Sequence, residues 1–68
     1  TRLAISDAGC AMHFLKAALW SSRYNVLINL PLVNDERFSK MTNDKLNYWF
    51  EEANKLFSET IENVEKYL

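Results

Sequence analysis

Pro31 is the only proline among 68 residues, it stands close to the midpoint, and the sequence on both sides of it is helix-forming. A proline has no N–H to donate and disfavours α geometry at the residue before it. The first helix is expected to stop there, and two helices joined by a short connection follow. From Ala8 onward the first half is rich in alanine, leucine, methionine and lysine, all good helix formers. Ser6 or Asp7 is expected to cap its start, because either side chain can accept from an otherwise unpaired N–H. Asp7 also suits the positive end of a helix dipole. Gly9, the only glycine, costs about 1 kcal/mol against alanine in a helix and marks a place where a neighbouring helix can come close. The run "YNVLINL" is more β-prone and alone would read as a strand. No turn signal separates it from the alanine-rich part, so helix is expected to continue to Leu30.

"PLVND" reads as a hinge. Asn34 or Asp35 is expected to cap a second helix, with Glu36 in its first turn. From Leu46 the apolar positions Leu46, Trp49, Ala53, Leu56, Thr60, Val64 and Leu68 recur at steps of three or four, and Phe50, Phe57 and Ile61 widen the stripe. Glu51–Lys55 and Glu62–Lys66 are expected as i,i+4 ion pairs. The pattern predicts an amphipathic helix of roughly 25 residues, with a break near "SKMTND". There is no repeat and no low-complexity tract.

The two helices differ in kind. The second has one apolar stripe, whereas the first is apolar round most of its circumference, the mark of a helix with neighbours on several sides. A hairpin alone cannot supply them. The fold class expected is therefore all-α: two long helices joined by a short proline-containing hinge, residues 1–68 forming one segment of a larger multi-helix bundle or of an obligate oligomer. The missing initiator methionine favours the bundle. Composition narrows the choice further. With Cys10 as the only cysteine no internal disulfide can form, and a lone His13 without a Cys/His cluster argues against structural zinc. A single free thiol favours a reducing, cytoplasmic setting. A net charge of −1 with mixed signs argues against a partner bound by charge alone, such as nucleic acid or a membrane surface. Lys16, Arg23, Asn25 and Asn29 interrupt the apolar run that would otherwise suggest a membrane span.

At 100° per residue, Asp7, Ala11, Phe14, Ala18, Ser21, Ser22, Asn25 and Asn29 fall within roughly 40° to 60° of one line on the first helix. This strip is small and polar apart from Phe14. Gly9, Lys16, Trp20, Arg23 and Leu27 lie opposite. Asp7 and Asn25 are about 27 Å apart along a helix, so a single small group cannot touch both on one chain. They would serve opposite ends of a long ligand, or a partner subunit would bring them together. The plainer reading is that the strip forms a tight helix–helix contact in which the amides pair with neighbouring groups, and that Asp7 is only a cap. His13 reads as a packing or surface residue, and Cys10 has no activating partner that would make it a nucleophile.

"ISDAGCAMHFLKAAL" followed by "YNVLINLPLVNDERF" resembles the C-terminal part of the formiminotetrahydrofolate cyclodeaminase / methenyltetrahydrofolate cyclohydrolase family. The carrying residues are Ser6-Asp7, the run Asn25-Val26-Leu27-Ile28-Asn29, and the acidic pair Asp35-Glu36 before a long final helix. The resemblance implies an all-helical bundle that dimerises, a tetrahydrofolate derivative as substrate and no metal. It implies either closure of 5-formimino-tetrahydrofolate to the 5,10-methenyl compound with loss of ammonia, or opening of the methenyl ring by water. Asp7 is the one residue of the matched motifs able to move protons, and Ser6, Asn25 and Asn29 are candidates for substrate binding or the interface. The family's glycine-rich segment is absent, so these 68 residues alone are not expected to be catalytic. The sequence departs from the family at Ser21-Ser22-Arg23-Tyr24, where a Gly-Ala-aromatic run is expected, and Arg23 should sit at solvent or meet an acidic partner. A folate binder without turnover and a non-catalytic helical module remain as alternatives.

Overall fold

The computed structural model describes residues 1–68 as an antiparallel pair of helices. Helix α1 spans Arg2–Asn29, a single 3₁₀ turn spans Leu30–Leu32, and helix α2 spans Glu36–Lys66. There is no strand, and "YNVLINL" is helical down to Asn29.

The ends of the helices obey ordinary capping chemistry, but not always at the expected residues. Thr1 rather than Ser6 or Asp7 caps α1, its side chain accepting from the Ala4 N–H. Arg2, Leu3 and Ala4 are themselves good helix formers, so the helix begins earlier and leaves Asp7 inside it. Asp35 caps α2, accepting from the Phe38 N–H at 3.0 Å, with Glu36 in the first turn. Proline does not act on Leu30 as expected. Leu30 keeps α geometry and donates to the Val26 carbonyl. The α ladder fails one residue later, because Pro31 has no N–H to give to the Leu27 carbonyl. The chain then tightens into the 3₁₀ turn, closed by the Val33 N–H on the Leu30 carbonyl at 3.1 Å. Helix α2 runs unbroken through "SKMTND". Ser39, Thr42, Asn43 and Asp44 are weak helix formers, but Ser39, Thr42 and Leu46 lie at helical spacing on the side turned to α1, and packing outweighs propensity there.

The side of α1 that meets α2 is the one with Ile5, Gly9, Met12, Trp20, Arg23, Leu27 and Leu30. Trp20 packs on Phe50 with ring centroids 4.9 Å apart and planes tilted at 59°. At the far end Gly9 fulfils its expected role: a Cβ there would stand 3.0 Å from a Val64 methyl. Arg2 also donates to the Leu68 carbonyl across the two termini. The expected ion pairs Glu51–Lys55 and Glu62–Lys66 are replaced by Lys40–Asp44 and Glu52–Lys55, all on the surface.

Only Leu46, Phe50 and Phe57 are buried, all on α2. The hairpin measures 51 × 16 × 10 Å with a radius of gyration of 15.8 Å, where a compact domain of this length would have about 11 Å. Its accessible surface is 5591 Å². A globular protein of 8.0 kDa would expose about 4,500 Å². Large apolar side chains make up much of the excess, Leu3, Phe14, Leu15 and Ile28 among them. Neither helix is long and apolar enough to cross a membrane.

Candidate functional site

Helix α1 presents opposite sides to different surroundings. With Ile5, Gly9, Trp20 and Arg23 turned to α2, the line through Asp7, Ala11, Ala18, Asn25 and Asn29 points the other way, and all five residues are exposed. The polar strip is thus not the contact within the hairpin. Its members are satisfied partly by their own helix: the Ser22 hydroxyl donates to the Ala18 carbonyl at 2.8 Å, and the Asn29 amide donates to the Asn25 carbonyl at 2.7 Å. The carboxylate of Asp7 and the side-chain amide of Asn25 have no partner within the chain. Both are free to meet a ligand or another helix.

The four candidate residues do not converge. Ser6 turns toward the open end of the hairpin and lines a cleft of about 190 Å³ with Gly9, Cys10, His13, Val64 and Glu65. Asn25 and Asn29 line a shallow groove of about 360 Å³ beside the connecting turn, walled by Val26, Val33, Phe38 and Thr42. Asp7 lines neither. The two grooves lie toward opposite ends of α1, since Ser6 and Asn25 are about 28 Å apart along the helix.

Two features were missed from the sequence. Ser6, Cys10 and His13 share one wall of the open-end cleft, with Glu65 lining it from α2. The signal was there, since steps of four and three place all three side chains on one helix face. Arg23 meets neither solvent alone nor an acid. Its guanidinium lies 5.3 Å from the Trp20 ring centroid and 5.6 Å from that of Phe50. A planar, delocalised cation stacks much as an aromatic ring does, which explains how arginine occupies a place where an aromatic is expected. With Trp20, Asn47, Glu51 and Asn54 it lines a further polar cleft.

No three His, Cys, Asp or Glu side chains lie close enough together to hold a metal ion. On α2, Lys40 is raised above the usual 10.5, first by its hydrogen bond to Asp44 and then by that carboxylate's charge. It lies outside both grooves.

A family model described as formiminotransferase-cyclodeaminase matches residues 1–48. The chain belongs to this family. The match takes in all of α1, the 3₁₀ turn and the start of α2 through Tyr48, so Ser6, Asp7, Asn25, Asn29 and Asp35 all fall within it. The remainder of α2, with Phe50 and Phe57, lies beyond the matched part. No curated protein and no solved structure matches the chain.

Proposed function

We propose that these residues are the C-terminal helical part of a formiminotetrahydrofolate cyclodeaminase, acting within the complete polypeptide. The substrate is 5-formimino-tetrahydrofolate and the products are 5,10-methenyl-tetrahydrofolate and ammonia. The observation that carries the reading is the family match across the whole of α1. Ring closure joins a second folate nitrogen to the formimino carbon and breaks the bond from that carbon to the departing nitrogen. The attacking nitrogen must lose a proton and the leaving one must gain protons. A carboxylate beside the reacting carbon can do both in turn. Asp7 is suited to that work because it caps nothing, pairs with nothing in the hairpin and lies on the outward face of α1. Asn25 and Asn29 lie on the same line about 27 Å or more away, so their amides would reach that folate only at its far end or across a partner subunit. The remaining walls of the site come from other helices of the bundle, which would cover the exposed apolar flank of Leu15, Leu19 and Val26.

The test is the absorbance of the methenyl chromophore, followed with the complete polypeptide. With 5-formimino-tetrahydrofolate supplied, the chromophore should appear. Loss of supplied methenyl-tetrahydrofolate above its spontaneous rate, without that appearance, would identify a cyclohydrolase instead. No change in either would leave a folate-binding or purely structural bundle.

A further inference from the structure

Arg23 is fixed in place but left unpaired. It is half-buried where the two helices meet, with its guanidinium over the rings of Trp20 and Phe50. Rings take the faces of a guanidinium and leave its five N–H groups, which lie in its plane, free to donate. No acceptor in the chain meets any of them. Glu51, the one carboxylate that lines the same cleft, stands beyond ion-pair distance from Arg23. A half-buried cation has given up part of its hydration, and that loss is recovered only where an acceptor takes its donors.

We infer that Arg23, Asn47 and Asn54 form a binding site for a carboxylate group. Helix α2 brings Asn47, Glu51 and Asn54 to the cleft together, because steps of four and three place them on one helix face. Neither amide is hydrogen-bonded within the chain, so each has N–H groups to donate beside the guanidinium. A carboxylate is the group that a fork of parallel N–H donors holds at two points. Phosphate fits such a fork too, but Glu51 decides against it. A carboxylate brings a single negative charge toward Glu51, whereas phosphate near neutral pH brings more than one, and the repulsion grows with that charge. The cleft, of about 280 Å³, has room for a carboxylate and the short chain that carries it.

This cleft is separate from the proposed folate face. Arg23 is turned to α2, on the side of α1 opposite the line that begins at Asp7. Arg23 also falls in Ser21-Ser22-Arg23-Tyr24, where the sequence departs from the family resemblance, so the site is a feature of this chain. Two sources can supply the carboxylate: an acidic side chain elsewhere in the complete polypeptide, or a small free carboxylate. Both make the same contacts with Arg23 and the two amides. No part of the site depends on the folate reading.

The test is NMR of the complete polypeptide labelled with nitrogen-15 arginine, the Arg23 signals being identified by their loss in Arg23→Lys. Relative to the urea-unfolded chain, an N–H proton held over a ring face moves upfield and one donated to a carboxylate moves downfield. If an acidic side chain of the polypeptide is the occupant, the Arg23 signals should lie downfield in chloride buffer. Replacing that acid by its amide, Asp→Asn or Glu→Gln, should then return them upfield. If a free carboxylate is the occupant, the signals should lie upfield in chloride and move downfield, to saturation, as acetate is added at constant ionic strength. Asn47→Ala and Asn54→Ala, both at exposed positions, should each weaken acetate binding at least about fivefold with helicity kept, and phosphate should bind more weakly than acetate. Signals that stay upfield in both chloride and acetate would overturn the inference. Phosphate binding as tightly as acetate would overturn it too, as would a downfield signal that no acidic substitution moves. None of these readouts involves turnover, so failure here and failure of the folate reading are distinguishable.

Discussion

Phe50→Ala should remove about a third or more of the stability of the hairpin. Phe50 is 7% exposed and is one of only three buried residues. It is also the point where α1 is anchored, through the Trp20 ring at 4.9 Å and the Arg23 guanidinium above its face. Truncating a buried phenylalanine to alanine costs about 3–5 kcal/mol, while a chain of this length has roughly 3–10 kcal/mol in all. Phe50→Leu separates the contributions. It keeps most of the apolar volume but loses the aromatic pair, about 0.5–1.5 kcal/mol, and the cation–ring contact, about 0.5–1 kcal/mol. A loss of about 1–2.5 kcal/mol is expected for that variant. Tyr48→Ala, on an exposed part of the same helix, should stay within about 0.5 kcal/mol. Urea denaturation at one fixed protein concentration, followed by far-UV circular dichroism, measures all three. If Phe50→Ala costs less than about 1 kcal/mol, or no more than Phe50→Leu, the Trp20–Phe50–Arg23 cluster does not hold the helices together.

Further outcomes follow from single contacts. Asp35→Ala removes the side chain that accepts from the Phe38 N–H and should cost about 1 kcal/mol in the same assay, while Asp35→Ser should recover most of it. Gly9→Leu forces a side chain into the space 3.0 Å from Val64 and should cost about 1–3 kcal/mol, with the helices splayed at their open end. The Lys40–Asp44 pair should make stability pH-dependent in one direction. Because the folded value for Lys40 is raised above 10.5, its contribution is whole below about that pH and is lost as pH rises through the higher folded value. A small difference in helicity between the unsubstituted chain and Asp44→Asn should therefore vanish in strong base, as a circular dichroism titration would record.

Two helices, their order and the Asp35 cap were readable because each depends on a local signal: a proline, a run of helix formers, a side chain able to accept from an N–H. Gly9 was readable as a close approach for the same reason. Which side of α1 meets α2 was not readable, since Leu3 and Phe14, Leu15 and Leu19, and Trp20 and Leu27 offer apolar surface in three directions. Phe50 decides it by taking Trp20, and Arg23 follows because a guanidinium can lie on a ring. Asp7 lies inside α1 rather than at its start because Arg2 to Ala4 are favourable helix formers and carry the helix back to the Thr1 cap. The ion pairs on α2 were misassigned because exposed pairs are worth only a few tenths of a kcal/mol and do not fix long side chains in one arrangement. Within the candidate site, the polar strip was legible from periodicity. Its outward direction was not, because that depends on the choice α2 makes.

The outward face of α1, beginning at Asp7, is proposed to be the chemical face of the protein, and Asp7→Asn in the complete polypeptide tests that most directly. The variant keeps the shape of the side chain and disturbs no cap and no ion pair in the hairpin. Formation of the methenyl chromophore from 5-formimino-tetrahydrofolate should fall about 100-fold or more, the usual worth of a positioned acid or base, with circular dichroism and thermal stability unchanged. Unchanged turnover would contradict the role given to Asp7 and leave the strip as a surface for packing alone.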